Sequence, residues 1–310
     1  MNSQTKNTTR KILIAEPQEI ASEAILMLQS NGYDVVNSLK NADAKNIEGL
    51  FIRTYTKVTL EYLDQFPELR FILRAGVGTD NIDLEECKVR EIRVFNAPGS
   101  NANAVAEYVL AMMLLLLKRI PQQIEQIKSN QWRDVDSMGT DLQGKVVGLV
   151  GCGAIGKSLA NKLQAFGVSL LGYDPYLDSE TLQKYSIKKC NLQDLLKNAD
   201  LISLQLPLSL ETKEMFGKKE FMQMKKGSIL INVSRGELIK EDELLWALKN
   251  QVIAGAALDV VSNEPNINKE LLNVPNLIVT PHIAGFTKEA NTLMATGAVT
   301  NLFDFQKGNL

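Results

Sequence analysis

Cysteine and histidine are both scarce in this sequence, which has three cysteines and a single histidine among its 310 residues. Cys87, Cys152 and Cys190 lie far apart and show none of the spacings of a disulfide framework or a structural zinc site. This usage is typical of a reducing compartment. We therefore expect a cytoplasmic protein that holds no metal.

An excess of one charge and a long hydrophobic run are also missing. The formal net charge is −2, and acidic and basic residues are interspersed, so the sequence indicates neither a nucleic-acid nor a membrane partner. Residues 1–10 are polar without an apolar core, and no signal peptide is predicted. The strongly apolar run at 109–117 is bracketed by Glu107 and Lys118 and is too short to span a bilayer. Because it is apolar all round, it predicts a helix buried between domains or subunits.

Apolar runs separated by turn residues recur along the chain, which is long enough for two domains. Residues 11–95 alternate strand-like runs with helical segments and predict a small doubly wound α/β domain. From residue 145 onward the runs are typical of buried parallel strands. The predicted fold class is α/β with two doubly wound parallel-sheet domains. We expect a Rossmann-type domain at 101–286 and a smaller, flavodoxin-like substrate domain formed by 1–100 plus 287–310.

A glycine-rich turn stands near the middle of the chain, in residues 145–156, which read KVVGLVGCGAIG. An apolar strand-like run leads into it, and an amphipathic helix that stops at Gly167 follows it. A second apolar run then ends on Asp174. Together these segments form a βαβ unit of about thirty residues, the context that a dinucleotide-binding fingerprint needs.

Each residue of this fingerprint has a physical reason. Gly151 permits a tight turn, Gly153 lets backbone amides approach a pyrophosphate, and Gly156 allows close packing of helix on strand. The amino end of the helix favours the phosphate charge. Asp174 would accept hydrogen bonds from ribose hydroxyls and would repel a 2′-phosphate. A plain strand–turn–helix connection is the alternative interpretation, but the complete pattern favours a cofactor, and NAD over NADP.

Polar residues, glycine or proline follow the apolar runs, at the point where each predicted strand ends. They are Arg53, Gly76, Asp174, Pro207, Ser234, Arg235, Asp259, Pro281 and His282. Ligands of open parallel sheets bind outside the carboxyl ends of the strands. So many such residues at strand ends predict a ligand-binding cleft between the two domains.

The single histidine, His282, follows one of these runs, which favours a role in proton transfer over a packed or surface histidine. A dehydrogenase that acts on an alcohol needs an acid/base group near the carbinol, and imidazole suits neutral pH. It also needs a cation for a substrate carboxylate, and Arg235 offers a bidentate guanidinium at another strand end. Glu264 follows a third strand and would orient the imidazole and favour its charged form. A solvated loop glutamate remains the alternative for Glu264.

Several motifs occur in a fixed order along residues 11–307. They are the glycine fingerprint, Asp174, NVSRG at 232–236, ALDV at 257–260, Glu264 with Pro265, and PHIAG at 281–285. As an ordered set they resemble the D-isomer-specific 2-hydroxyacid dehydrogenases over nearly the whole chain. The segments 74–83 and 96–107 look closest to the members of that family that oxidise 3-phospho-D-glycerate.

The resemblance implies a role for each matching residue. Arg235 would bind the substrate carboxylate and keto oxygen, His282 would donate the proton, and Glu264 would be the partner of the imidazole. NAD would contact Val77, Gly151, Gly153, Ala154, Ile155, Gly156, Asp174, Leu206, Pro207, Val233, Ser234, Asp259, Ala284 and Gly285. The substrate would contact Arg53, Arg74, Gly76 and Asn101, with the two arginines serving a phosphate.

The implied reaction is the NAD-dependent oxidation of 3-phospho-D-glycerate to 3-phosphohydroxypyruvate, a step of serine biosynthesis. The implied enzyme is a homodimer that associates through the region 109–117. Another D-2-hydroxyacid substrate, such as D-lactate or glycerate, stays open, as does the reduction of glyoxylate. An NAD(H)-sensing protein similar to the corepressors of this fold also stays open, and turnover alone separates it from an enzyme.

Two features depart from the pattern of the phosphoglycerate-oxidising members. After Trp132, where some relatives are strongly basic, residues 133–136 read RDVD, which weakens one predicted contribution to phosphate binding. The sequence ends at Leu310, so a C-terminal regulatory module, and feedback inhibition through it, are not expected.

Overall fold

The computed structural model describes residues 10–38 and 43–309 of the chain. Residues 1–9, which belong to the stretch expected to carry no signal peptide, lie outside the described residues. Among the residues described, no helix combines the length and the apolar character that crossing a membrane requires.

The chain divides into two compact units. The first unit comprises Met1–Asn101 and Phe286–Leu310, and the second unit comprises Ala102–Gly285. The division expected from the sequence differs from this one by a single residue at each junction.

Strands and helices alternate through both units. The strands are β1 (Arg10–Ile14), β2 (Tyr33–Val36), β3 (Ile47–Ile52), β4 (Phe71–Arg74), β5 (Arg93–Phe95), β6 (Val146–Val150), β7 (Ser169–Tyr173), β8 (Ile187–Lys189), β9 (Leu201–Leu204), β10 (Ile229–Asn232), β11 (Gly255–Leu258) and β12 (Leu277–Val279). The helices are α1 (Ser22–Ser30), α2 (Leu60–Leu63), α3 (Leu84–Val89), α4 (Ala102–Leu117), α5 (Ile120–Lys128), α6 (Ala154–Leu163), α7 (Ser179–Gln183), α8 (Leu192–Asn198), α9 (Lys218–Gln223), α10 (Glu241–Lys249) and α11 (Lys288–Gln306).

The sheet of the first unit is parallel, with its strands in the order β2-β1-β3-β4-β5. Successive side chains of a strand point to opposite faces. Accordingly, Ile12 and Ile14 of β1 enter the core on one face, and Leu13 enters the core on the other. The helices α1 and α11 pack together over the first of these faces, where the small residues Ala295 and Ala298 of α11 are buried. This strand order is the flavodoxin-like order that was predicted, and it reverses between β1 and β3.

The sheet of the second unit is also parallel, in the order β12-β11-β10-β9-β6-β7-β8. The chain builds outward from β6 to β8 and then returns to β9 on the other side of β6, so the order reverses between β6 and β9. Both faces of these strands are covered, and Leu149 and Leu204 are completely buried. Covered faces explain why the strands read as continuous apolar runs in the sequence. The two sheets confirm the predicted α/β class with a Rossmann-type and a flavodoxin-like sheet.

The apolar run at 109–117 is the carboxyl half of α4. This helix packs against α6, and Val109 and Met113 contribute to the same core cluster as β6. It ends at Leu117, before Arg119, whose φ of 54° is in the left-handed region. A new helix, α5, then begins at Ile120.

Two elements have no counterpart in the sequence-based prediction. In α5, Ile120, Ile124 and Ile127 have the i, i+4, i+7 spacing of an amphipathic helix, so the sequence carried a signal for this helix that was missed. The side chains of Ile124 and Ile127 are exposed in the structure. β8 is a three-residue edge strand in which Ile187 alone is buried. A strand with one buried residue leaves no apolar run to find.

Phe221→Ala is expected to lower the free energy of unfolding of the second unit by about 3–5 kcal/mol, because it leaves a cavity in the core. The Phe221 side chain of α9 is fully buried, whereas Met222, the next residue, is 67% exposed. Met222→Ala should therefore change the free energy by less than about 0.5 kcal/mol. Urea unfolding followed by tryptophan fluorescence measures both, since Trp132 and Trp246 both belong to the second unit. Equal losses for the two variants would contradict the packing of α9.

Candidate active site

The glycine turn after β6 has the geometry that its three glycines predict. Gly151 has φ 93°, and a Cβ there would lie 2.8 Å from the carbonyl oxygen of Gln205. A Cβ on Gly156 would lie 2.7 Å from the carbonyl oxygen of Gly151, so the helix approaches the turn closely. At Gly153, in contrast, a Cβ would meet no atom within 4 Å. The backbone is therefore accessible at the one position where a pyrophosphate has to approach it.

The amino end of α6 points its first backbone amides out of this turn. Gly153 is the N-cap residue, and no side chain caps the helix there. The first amides of a helix have no partner within the helix, so those of Ala154, Ile155 and Gly156 are suited to bind an anion. These three residues are the ones predicted to contact the cofactor at this point.

Asp174 follows β7 directly, and its carboxylate connects the glycine turn with the next loop. Oδ2 accepts a hydrogen bond from the amide of Cys152 at 2.9 Å. Oδ1 accepts from the amides of Tyr176 at 2.9 Å and Leu177 at 3.2 Å. A carboxylate has about four lone-pair sites, so these three bonds leave Oδ2 able to accept one further hydrogen bond. A ribose hydroxyl fits that remaining position.

The other residues predicted to bind NAD are distributed over the loops that follow β9 to β12. Leu206, Pro207, Val233, Ser234, Asp259, Ala284 and Gly285 lie in these loops of the second unit. Because the strands are parallel, the loops leave the same edge of the sheet as the glycine turn. Val77 belongs to the first unit, where its carbonyl oxygen accepts a hydrogen bond from Asn96 at 2.7 Å.

His282 and Glu264 form a hydrogen-bonded pair. Nδ1 of His282 lies 2.8 Å from Oε2 of Glu264, and the other oxygen of Glu264 accepts from the amide of Val261 at 3.1 Å. Burial raises the pKa of Glu264. The hydrogen bond and charge of His282, the Val261 amide and the charge of Arg235 outweigh burial and lower that pKa below its usual value.

The charge of Glu264 decides how the imidazole is protonated. An ionised carboxylate only accepts hydrogen bonds, so Nδ1 of His282 carries a hydrogen and donates it to Glu264. The remaining ring nitrogen, Nε2, is then the atom that holds or releases a proton.

His282 has a backbone conformation that few residues adopt. Its φ is 56°, in the left-handed region, which costs a residue with a side chain about 1–2 kcal/mol. The carbonyl oxygen of Asp259 accepts the His282 amide at 2.8 Å. The carboxylate of Asp259 accepts the amides of Ile283 at 2.8 Å and Ala284 at 2.7 Å. Asp259 is buried, so one residue at the end of β11 holds the whole histidine loop.

Arg235 is held by a turn that the buried residue Asn232 closes. The Asn232 side chain accepts the amide of Ser234 at 3.1 Å and donates to the carbonyl oxygen of Arg235 at 2.8 Å. Nη1 of Arg235 donates to the carbonyl oxygen of Ser234 at 2.7 Å. The next residue must be Gly236, because a Cβ there would lie 2.0 Å from the backbone of Val261. The second unit thus collects a guanidinium, a carboxylate and an imidazole.

Arg53 lies in the first unit, directly after β3, with a side chain only 7% exposed. Its Nη1 is 3.3 Å from the carbonyl oxygen of Glu19 and 3.5 Å from the carboxylate of the same residue. The guanidinium also lies over the ring of Phe286, 5.2 Å from its centre. The sequence indicated an arginine available for a distal anion, whereas here the guanidinium already has a carboxylate beside it.

The other residues predicted to bind substrate also belong to the first unit. Nη1 of Arg74 donates to the carbonyl oxygen of Ala75 at 2.8 Å. The guanidinium passes so close to Gly76 that a Cβ there would lie 1.7 Å from it. Asn101 is the last residue before α4.

Two residues that were not predicted from the sequence, Glu16 and Asn81, fix the loop 53–56. The carboxylate of Glu16 accepts all four amides of this loop, at 2.8 to 3.3 Å. Burial raises the pKa of Glu16, but the hydrogen bonds from Thr56 and the rest of the loop outweigh it and lower the pKa. Asn81 binds the opposite side of the loop, because its amide donates to the carbonyl oxygens of Arg53 at 3.0 Å and Thr56 at 2.8 Å. Glu16 follows an apolar run, so the same strand-end rule could have identified it.

Comparisons with known proteins identify the family of the chain. Residues 110–284 match the family model described as D-isomer specific 2-hydroxyacid dehydrogenase, NAD binding domain. The D-3-phosphoglycerate dehydrogenase of Bacillus subtilis (strain 168) is 38% identical over 289 residues, which are 93% of this chain and 54% of that protein. The chain thus spans about half the length of the curated relatives it matches.

Solved structures of similar proteins cover the chain almost completely. The structure of D-lactate dehydrogenase from Aquifex aeolicus complexed with NAD and lactic acid is 29% identical with a TM-score of 0.84, covering 97% of this chain and 96% of that one. A glyoxylate reductase from Paecilomyes thermophila is 27% identical with a TM-score of 0.86, covering 97% of both chains. The resemblance inferred from the motifs is confirmed: the chain belongs to the D-isomer specific 2-hydroxyacid dehydrogenase family, and it contains the NAD-binding domain of that family.

Proposed function

We propose that this protein is an NAD-dependent dehydrogenase of a D-2-hydroxyacid. The observation that carries the proposal is the 2.8 Å pair of His282 and Glu264, with Arg235 close enough to lower the pKa of Glu264. An acid/base group and a cation for a carboxylate are the two functions that oxidation of a 2-hydroxyacid requires from the protein.

Each side chain has one task in this reaction. The guanidinium of Arg235 binds the substrate carboxylate and keeps the carbinol oxygen in place. His282 takes the hydroxyl proton on Nε2 during oxidation and returns it during reduction. Glu264 accepts the Nδ1 hydrogen throughout and stabilises the imidazolium. Bound NAD would supply the hydride acceptor for the carbinol carbon.

The residues of the glycine turn fit NAD. Gly153 leaves the backbone open to a pyrophosphate, and the uncapped amides of α6 face the same space. Asp174 has one acceptor position left, which suits a ribose hydroxyl and opposes a phosphate at that place.

As the substrate we propose 3-phospho-D-glycerate, which would be oxidised to 3-phosphohydroxypyruvate in serine biosynthesis. The proposal is supported by the similarity to D-3-phosphoglycerate dehydrogenases and by the two arginines of the first unit, Arg53 and Arg74. An unphosphorylated acid such as D-lactate is the second candidate. It is favoured by the pairing of Arg53 with Glu19 and by the acidic residues Asp134 and Asp136 after Trp132.

We also propose a cytoplasmic homodimer. Support for a dimer comes from exposed apolar side chains in and after α5, and not from the predicted region 109–117, where Val109, Met113 and Leu117 are buried in the core of the second unit. The exposed side chains are Ile124, Ile127, Trp132, Val135 and Met138. Apolar side chains gathered on a surface are typical of protein–protein interfaces. The three cysteines are free thiols, as expected in a reducing compartment.

Asp174→Asn should reduce the preference for NADH over NADPH. The single asparagine oxygen can replace only one of the two carboxylate oxygens, so either the Cys152 amide or the Tyr176 and Leu177 amides lose their acceptor, and the charge that repels a 2′-phosphate is gone. That repulsion amounts to about 1–4 kcal/mol in the native protein. Fluorescence titration with both cofactors measures the preference. Asp178→Asn, at the exposed cap of α7, is the matched control and should leave it unchanged. Equal affinity of the native protein for the two cofactors would refute the role of Asp174.

His282→Gln should lower the rate of keto-acid reduction by about 10²–10⁴-fold, while NADH binding stays near normal. In the native protein the rate of reduction should fall as pH rises, because the protonated imidazole is the active form. Glu264 is ionised at neutral pH and stabilises that form. Glu264→Gln should therefore move the fall to lower pH, as a pH series of initial rates would measure. Glu270→Gln, an exposed carboxylate paired with Lys249, is the control. An unmoved profile in Glu264→Gln would count against the pairing.

If Arg53 binds the phosphate, Arg53→Ala should lower kcat/KM for phosphohydroxypyruvate, because a charge-assisted contact is lost. The loss of transition-state stabilisation should be about 2–4 kcal/mol. Hydroxypyruvate lacks the phosphate, so its kcat/KM should be nearly unchanged in Arg53→Ala. Glu19→Gln removes the competing carboxylate and should raise kcat/KM for the phosphorylated substrate alone. Steady-state kinetics with both keto acids measure these changes. Equal losses for both substrates in Arg53→Ala would mean that the arginine serves the fold through Glu19.

A further inference from the structure

We propose that Tyr108 is a positioning residue for His282, acting through Thr280 and Asp259. The three residues form a chain of hydrogen bonds inside the second unit. The hydroxyl of Tyr108, on α4, lies 2.5 Å from Oγ1 of Thr280. The same Oγ1 lies 2.6 Å from Oδ1 of Asp259. This proposal deepens the proposed function, because it takes His282 as the proton donor.

The direction of the chain follows from the chemistry of its members. The Asp259 carboxylate accepts hydrogen bonds, so the single hydroxyl hydrogen of Thr280 is donated to it. Tyr108 must then donate its own hydrogen to Thr280, because Thr280 has no second one to give. Burial and the charge of Asp259, opposed by the Thr280 hydrogen bond, raise the pKa of Tyr108 to about 12. Tyr108 therefore remains a donor at every pH at which the protein would work.

The chain ends on the carboxylate that shapes the histidine loop. Oδ1 of Asp259 receives both the Thr280 hydroxyl and the amide of Ile283, and Oδ2 receives the amide of Ala284. The Thr280 bond fixes the rotation of the carboxylate, and this rotation determines where the two amides can be accepted. His282 lies between these anchors, with its own amide on the carbonyl oxygen of Asp259.

His282 depends on these anchors more than an ordinary loop residue would. Its left-handed backbone is unfavourable for a residue with a side chain, so surrounding bonds have to maintain it. Among the described residues, Glu264 is the hydrogen-bond partner of the His282 ring, and 42% of the His282 side chain is exposed. Loss of the Tyr108 hydroxyl would let the carboxylate and the loop take other arrangements, which would misplace Nε2 without changing its chemistry.

Tyr108→Phe removes one hydroxyl and keeps the ring that packs in the core. We expect kcat for keto-acid reduction to fall about 3- to 10-fold, as loss of one positioning hydrogen bond allows. KM for the keto acid should stay within about 2-fold, because Arg235 is untouched. Thr280→Val should have a similar effect, and Thr280→Ser should restore the native rate because it keeps the hydroxyl. In the double variant the two losses should not add, since both act through one chain.

A second measurement needs no substrate. His282 is the only histidine, so protein labelled with ¹³C-histidine gives ring signals that belong to this residue alone. In Tyr108→Phe we expect the ring signal of the ligand-free protein to shift and to broaden or split, with the melting temperature lowered by no more than about 4 °C, as loss of one hydrogen bond allows. Thr280→Ser should show the native signal. Tyr185→Phe, which alters another half-buried tyrosine of the same core cluster, is the matched control and should also show the native signal.

The two measurements separate the possible failures. A native ring signal and native kcat in Tyr108→Phe would overturn the role of Tyr108. The same shift in Tyr185→Phe would also overturn it, because the response would then be a general effect of core substitution. A shifted signal in Tyr108→Phe alone, in a protein that turns over no 2-keto acid, would support the positioning of His282 and refute the proposed function.

Discussion

Parallel pairing of the strands is the constraint on which the candidate site depends. In the second unit every strand from β6 to β12 runs in the same direction, so the chain leaves each strand at the same edge of the sheet. Residues as distant in sequence as Gly151, Arg235 and His282 therefore reach one edge without any element dedicated to bringing them together. The reversal of strand order between β6 and β9 opens a crevice where the glycine turn begins. Once the sheet is formed, the separation of these residues along the sequence does not keep them apart in space.

Carboxylates at strand ends accept the backbone amides of the neighbouring loops in both units. Glu16 accepts four backbone amides, Asp174 accepts three, and Asp259 accepts two amides and a hydroxyl. Each carboxylate replaces the partners that a loop lacks when it leaves a strand and cannot continue the ladder of hydrogen bonds. Asp174 and Asp259 were predicted only as ligands of a cofactor. Both hold the backbone of the loops in which the cofactor is predicted to bind, so removal of either side chain would disturb these loops as well as the predicted contact.

What the sequence predicted well is what depends on neighbours along the chain. The glycine fingerprint, the strand that ends on Asp174 and the two α/β sheets follow from spacing and periodicity, and the sheets are confirmed. The pairing of Glu264 with His282 was suggested by the position of both residues near strand ends and by the resemblance to the family, and no periodicity requires it.

Other features could not be read from one sequence because their partners are remote. Tyr108 and Thr280 are 172 positions apart, and nothing in either segment indicates that a hydroxyl on α4 meets the loop after β12. Arg53 was correctly placed after a strand, but the sequence did not reveal that Glu19 lies beside it. The edge strand β8, in which Ile187 alone is buried, also offers no apolar run from which a strand could be recognised.

The position of Arg53 changes how substrate identity has to be argued. A buried guanidinium beside a carboxylate has much of its charge compensated, and a phosphate would have to compete with Glu19 for it. Glu19 repels a phosphate dianion while Arg53 attracts it, and both interactions grow with the charge of the ligand, so the pairing reduces the preference of Arg53 for a phosphorylated substrate. In the proposed reaction, His282, Glu264 and Arg235 of the second unit would act on the part of the substrate that all 2-hydroxyacids share, so they would not distinguish among these acids. Discrimination between a phosphorylated and an unphosphorylated acid must therefore come from charged groups other than His282, Glu264 and Arg235. Among the described residues, Arg53 with its partner Glu19 is one such pair of charged groups.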